Sequence, residues 1–177
     1  MKLKTKMRRA LSETPTNPNP DGEPTFVEET GLGRFQVEAR TGTSAILIDE
    51  PISAGGLGTG PNPFDLLCAA LGSCTAMTVR LYAQRKTWPL TRARVRVTHH
   101  RGTLQARDSF HREITLEGPL DEAQRTRLME IAERCPVHLT LERGSDISSS
   151  LVPPDVSLGD GTPTGEHVKT MEEACRT

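Results

Sequence analysis

Aromatic residues are scarce in this 177-residue chain, which has one Trp, one Tyr and four Phe. That supply is too small for the stacking platforms on which single-stranded nucleic acid is held. Excess charge is also lacking. The formal net charge is −1, which argues against a partner recruited by bulk electrostatics. No continuous apolar run approaches the ~20 residues of a membrane span. The basic start MKLKTKMRRA is followed by no apolar h-region, so neither membrane insertion nor secretion is expected. The glycines of GGLGTGPNP fit neither GxGxxG nor a P-loop, and no GKS or GKT is present, which leaves nucleotide binding without support. A CxxC pair is missing as well.

What is present divides into three parts. Residues 1–24 carry four prolines and little that is apolar after Leu11, and residues 153–177 carry Pro153, Pro154 and Pro163 among scattered Gly, Asp and Thr. Such segments cannot bury enough surface to offset the entropy of ordering them, so both are expected to be disordered tails. The folded domain is then 25–152, with 15 basic and 15 acidic residues.

Within it, Arg34–Arg40 alternates apolar and polar residues and Ser44–Asp49 is a short apolar run across Thr41-Gly42-Thr43, which predicts a β-hairpin. A further strand around Phe26–Glu29 is a weaker signal. The stretch from Glu50 to Phe64, with four glycines and three prolines, is expected to be a loop. Pro63 should open a helix running to about Lys86. That helix is apolar or small on nearly every side from Leu66 to Val79, as a helix buried all round would be. Gly72 and Ser73 would let another element approach it closely. Arg92–Thr98 alternates strictly, with Ala93, Val95 and Val97 on one face, and FHREITL (Phe110–Leu116) can pair with it. Asp121 should start a second helix whose stripe of Leu128, Ile131 and Ala132 continues to Cys135. Pro136 breaks it, VHLTL starts a short new helix, and Ile147–Val152 would form a closing strand. Strands, long helix, strands, helix and strand in that order predict an α+β fold with antiparallel sheet on a central helix.

Cysteine is the informative residue type. Cys68, Cys74, Cys135 and Cys175 have no secretory context, which favours free thiols in a reducing cytoplasm over a disulfide framework. Cys74 lies deep in the apolar helix and Cys135 where a core-facing helix meets proline. From the residues alone both are either small buried hydrophobes or a thiol pair remote in sequence and close in space. Cys68 stands six residues from Cys74, ~120° around the helix, so the two cannot both face Cys135. It is read as packing, and Cys175 as incidental. The same angle counts against a zinc site of Cys68, Cys74, Cys135 and His138. His99 and His100 point to opposite faces of a strand, so no metal and no cofactor is expected. Arg92, Arg94 and Arg96 share one strand face and are read as the solvated side of a sheet rather than a nucleic-acid surface.

Three segments together, LIDEPISAGG, GPNPFDLLCAALGSCTAMTVRLYA and DEAQRTRLMEIAERCPVHLTL, resemble the OsmC/Ohr family of thiol-dependent hydroperoxide reductases. The pattern NP-x-x-L-x-x-A-x-x-x-x-C ends on Cys74, and CPVH-x-TL begins on Cys135. The sequence is similar above all to the OsmC domains that also occur fused to α/β-hydrolases. The resemblance, over about Arg34–Val152, implies an intertwined homodimer with antiparallel sheets wrapped around long central helices. It assigns Cys74 as the peroxidatic and Cys135 as the resolving cysteine. An organic hydroperoxide would be the substrate and a lipoyl-type dithiol the reductant, in oxidative-stress defence.

The family uses an arginine from the N-terminal strands, here Arg40 or Arg34 with Arg40 favoured, held by a glutamate after NP. That glutamate is absent. Phe64 stands in its place, on the substrate-facing surface by analogy, and Asp65 is one residue out of register. Nine residues from Cys74, Asp65 is on the opposite helix face and would act only from the other subunit. The departure supports a second reading, a dimeric binding or redox-sensing module with weak or no turnover.

Overall fold

The longest element forms where the chain offers both a strong helix start and a long, largely apolar stretch unbroken by proline after Pro63. Helix α1, Pro63–Arg85, has Pro63 in its first turn and Asn62 as N-cap. The Asn62 side chain accepts from the Phe64 and Asp65 amides, and Asp65 returns a carboxylate to the Asn62 N–H at 3.0 Å. This reciprocal box satisfies donors that a helix end otherwise leaves orphaned. Although no apolar run in the sequence suggests a span, α1 at 23 residues is long and apolar enough, by length and composition, to cross a membrane. In the fold it is the core helix, buried through Leu71, Cys74, Thr75, Thr78, Val79, Tyr82 and Ala83. The computed structural model describes residues 24–154 and 165–176.

Two separate antiparallel sheets accompany it. The first comprises β1 (Phe26–Glu29), β2 (Val37–Thr41) and β3 (Ser44–Ile48) in that order. Thr41 pairs with Ser44 around a two-residue turn in which Gly42 has φ +54°, a conformation glycine reaches without steric cost. The second sheet pairs β4 (Arg92–His100) with β5 (Ser109–Glu117). Its inner face packs on α1, and Gly72 is what allows this, since a Cβ there would already lie 3.2 Å from a Val97 methyl. On the outer face Arg94 pairs with Glu117 and Arg96 with Glu113, the solvated ladder expected for these arginines.

Helix α2, Glu122–Ala132, begins on the Asp121 cap box, and α3, Pro136–Arg143, follows with Cys135 as N-cap. Leu128, Ile131 and Ala132 are wholly buried against Val79, Tyr82, Ala83, Leu90 and Leu120. Each large apolar side chain buried this way contributes ~1.5–3 kcal/mol.

Three segments differ from the sequence-based expectation. The loop from Glu50 to Asn62 contains one 3-10 turn, Ile52–Ala54. It is clasped by buried Asp49, whose carboxylate accepts from the Glu50, Leu57 and Thr59 amides and the Thr59 hydroxyl. Burial pushes the Asp49 carboxyl up, but those hydrogen bonds outweigh it and hold it below its ordinary value. Second, Ile147–Val152 is irregular rather than a strand, with Ile147 89% and Leu151 95% exposed, and it pairs with none of the described strands. Third, the described part of the segment after Pro153 departs from the expected disordered tail. Glu166–Ala174 forms helix α4, with Met171 and Cys175 buried. Cys175 is therefore part of the core around Val79 and Ala83 rather than incidental. The expectations of disorder for 1–23, 155–164 and 177 fall on residues outside those described.

Candidate active site

Helix α1 and the start of α3 bring together two residues 61 positions apart. Cys74 Sγ and Cys135 Sγ are 2.8 Å apart, both thiols are free, and both are essentially inaccessible at 1% and 0% exposure. The gap to a ~2.05 Å disulfide is under ~1 Å. The first turn of α3 serves the two sulfurs in parallel. The Val137 N–H donates to Cys74 Sγ and the His138 N–H to Cys135 Sγ, each at 3.4 Å. Pro136 has no N–H, so these are the first donors the helix offers. Around them pack Leu71, Val97, Phe110, Val137 and Leu141.

The charge beside this pair comes from β5. Arg112, its side chain 9% exposed, donates to Thr75 Oγ1 at 2.8 Å, to the Ala132 carbonyl at 3.0 Å and to Glu133 at 3.0 Å. It also lies 3.0 Å from His138 Nδ1. Thr75 Oγ1 in turn lies 3.7 Å from Cys135 Sγ. The reduced pair therefore holds one proton tightly and releases the other readily. The hydrogen bond to Cys74 chiefly draws Cys135 down to about 6 against its burial, helped by the His138 N–H, the Thr75 hydroxyl and the Arg112 charge. The same contact, with burial, pushes Cys74 well above the ordinary thiol range, against the Val137 N–H and Thr78 hydroxyl that favour its anion.

Next to the pair lies a cavity of about 370 Å³. Leu71, Phe110, Ile114, Met129 and Leu141 give it apolar walls, and Arg112, His138, Glu133, Asp108 and Glu142 are among its polar groups. A hollow that sets apolar walls against several convergent polar groups suits a small amphipathic organic molecule. At its rim Arg101 grips Asp108 through both carboxylate oxygens, at 2.7 and 2.6 Å, chiefly for which reason Asp108 is held at about 2.

Of the residues expected from sequence, Cys74 and Cys135 meet and the others lie apart from them. Arg40 is exposed on β2 and paired with Glu28 and Glu38, while Arg34 covers the Phe35 ring. Within the chain the guanidinium that serves the thiols is Arg112. Asp65 is occupied as a helix cap. Phe64 stacks on His99 with ring centres 4.4 Å apart, under the Arg101 guanidinium, and His99 leans on Phe110. Phe64 thus reaches the cavity only through that stack. Cys68 lies on another face of α1, in a shallow groove beside Val95 and Val97.

Sequence reasoning missed Arg112 and His167. Arg112 shares the inward face of β5 with Phe110, Ile114 and Leu116, and a charge interrupting the apolar half of an alternating strand is a legible signal. His167 comes from α4 and places Nε2 3.2 Å from Cys74 Sγ. Its signal was the spacing His167, Met171, Cys175, one residue per helical turn.

This is a two-helix dithiol site set in an α+β frame. Residues 56–150 match the family model described as OsmC-like protein, and the chain belongs to that family. Among solved structures, it resembles a Psychrobacter arcticus protein provisionally described as an osmotic stress induced and detoxification response protein (22% identity, TM-score 0.58, 73% of this chain and 90% of that one). It also resembles an OsmC like protein from Mycoplasma pneumoniae (22%, 0.55, 70% and 89%). A third is an organic hydroperoxide resistance protein OsmC from Legionella pneumophila (20%, 0.51, 67% and 88%). At such identities the likeness establishes the fold. No curated protein matches the chain.

Proposed function

We propose that this protein reduces organic hydroperoxides with Cys74 as nucleophile and Cys135 as resolving thiol. The observation that carries the reading is the 2.8 Å sulfur pair under two backbone amides, next to a cavity that combines apolar walls with charged groups. The Cys74 thiolate attacks the distal peroxide oxygen, an S–O bond forms as the O–O bond breaks, and an alcohol leaves. The Cys135 thiol then displaces water from the Cys74 sulfenic acid, forming the disulfide. An external dithiol, lipoyl-type or other, returns it to two thiols by exchange. Free thiols suit a reducing compartment such as the cytoplasm. One equivalent of cumene hydroperoxide is expected to convert the reduced protein to a Cys74–Cys135 disulfide, mapped by peptide mass. Unmodified thiols after that treatment sink the proposal.

A second assignment of roles has its own support, because the anion-stabilising contacts converge on Cys135. There Cys135 attacks and Cys74 resolves. Trapping the sulfenic acid in Cys135→Ser and in Cys74→Ser distinguishes the two. A binding or sensing module without turnover is the outcome if the disulfide forms but no dithiol reduces it catalytically.

The functional unit is proposed to be a homodimer. Leu67 and Met77 on α1 are 40% and 51% exposed, and Val27, Ile46 and Leu47 on the first sheet are exposed too. These are large apolar side chains on the central elements of the fold. A second subunit covering them would also be the route by which Arg40 or Asp65 reaches a thiol pair. Leu67→Arg is expected to convert the dimer to monomer in size-exclusion chromatography. Wild type eluting as a monomer excludes this assembly.

A further inference from the structure

We propose that His167, carried on α4, is the catalytic acid–base partner of Cys74. The inference rests on the hydroperoxide reading and adds to it the group that takes and returns the proton. Cys74 is 1% exposed, so bulk water is not at hand to accept its proton, and burial disfavours its anion. Cys135 at 2.8 Å and His167 Nε2 at 3.2 Å bring polar atoms to Cys74 Sγ, while the nearby Thr78 hydroxyl donates to the Cys74 carbonyl and is no base. Asp65 is engaged at the start of α1 and Arg40 with Glu28. Cys135 is a poor final acceptor, because a proton left on it must move again before Cys135 can resolve the sulfenic acid. An imidazole has no such conflict.

The position of His167 is built rather than incidental. Met171 and Cys175, one and two turns further along, are each 6% exposed in the core. Cys175 Sγ lies 3.8 Å from the Thr78 carbonyl, and Arg85 donates to the Glu172 carbonyl at 3.1 Å while pairing with its carboxylate. These contacts fix α4 to α1, the helix that carries Cys74.

With the ring in its Nδ1–H tautomer, Nε2 takes the Cys74 proton and leaves a thiolate beside an imidazolium. The thiolate sulfur gives an electron pair to the distal oxygen of ROOH. The S–O bond forms, the O–O bond breaks, and RO⁻ departs. The imidazolium returns its proton to RO⁻. The products are a Cys74 sulfenic acid, an alcohol and neutral His167, with sulfur oxidised and peroxide reduced by two electrons.

The test uses the full-length reduced protein, with two readouts: Cys74 alkylation by iodoacetamide, followed by peptide mass, and kcat/KM for cumene hydroperoxide with dihydrolipoamide. His167→Gly is expected to lower both on the order of 10²-fold, the usual contribution of a positioned acid or base. His167→Gln, which fills the space without taking a proton, should lower both alike. Added imidazole should restore His167→Gly and not His167→Gln. Rates within twofold of wild type in either variant overturn the proposal while leaving the peroxidase reading intact. Slowed variants that imidazole does not restore overturn the acid–base role in favour of a structural one. If wild type consumes no peroxide but alkylation still falls and is rescued, the pairing of His167 with Cys74 stands and only the hydroperoxide reading fails.

Discussion

Cys74→Ser is expected to lose hydroperoxide turnover by ~10³-fold or more, as removal of a nucleophile that no other group replaces does. A serine hydroxyl fits the space next to Leu71 and Cys135 and can still accept from the Val137 N–H. The loss should therefore come from chemistry, with little change in unfolding. Cys135→Ser should behave differently. Its Cys74 can react once, but the sulfenic acid has no partner 2.8 Å away and persists until an external thiol or further oxidation consumes it. The expected pattern is a single stoichiometric burst for Cys135→Ser and none for Cys74→Ser, read from peroxide remaining with time. A burst in Cys74→Ser instead reverses the two roles. Equal turnover in wild type and both variants removes the dithiol mechanism.

Arg112→Met carries the second large effect, and it is mainly one of stability. The arginine is nearly buried and satisfies Thr75 Oγ1, the Ala132 carbonyl and Glu133 while touching His138. Methionine fills much of the volume but leaves those acceptors unpaired, at ~1–3 kcal/mol for each well-buried group. A loss of a few kcal/mol in urea unfolding is therefore expected. The pH dependence follows from Cys135. Its folded-state midpoint, about 6, lies below the ~8.5 of an unfolded thiol. The stability this confers is complete above the unfolded value and is lost as pH falls through the folded one. Reduced wild type should accordingly gain stability between those limits. Above them the raised Cys74 reverses the slope, because the unfolded chain then releases a proton the folded one keeps. In Arg112→Met the Cys135 midpoint moves up and the gain shrinks. The movement should be a modest part of the whole, since the Cys74 hydrogen bond lowers Cys135 more than the guanidinium does. An unchanged gain in stability across that window contradicts a role for Arg112 in holding the anion.

The parts of this fold legible in the sequence were those governed by local rules. Pro63 marked the start of α1 and Asp121 that of α2 by local rules that need no tertiary information, and the structure adds the Asn62 and Asp121 cap boxes. Strict alternation gave β4, where Arg94 and Arg96 found glutamates on β5. The Cys74–Cys135 pairing was legible through motif resemblance, since 61 residues of separation hide it from any local pattern. Arg112 was obscured because it sits in a basic stretch whose other members, Arg94 and Arg96, do face solvent. Helix α4 was obscured by its flanks. Nine residues with one strongly apolar turn cannot hold a helix in isolation, and tertiary packing against α1 and α3 makes Glu166–Ala174 regular. Conversely, Ile147–Val152 has the composition of a strand but pairs with none of the described strands.

The two amides at the start of α3 have a consequence for how oxidation is felt by the backbone. Val137 and His138 donate to sulfurs that share a negative charge while reduced, and charged acceptors bind such donors about twice as strongly as neutral ones. Once the sulfurs join, both acceptors become neutral together. In the proposed cycle the first turn of α3 would therefore lose its charged acceptors with the removal of two electrons from the site, at the place where Glu133, His138 and Arg112 meet.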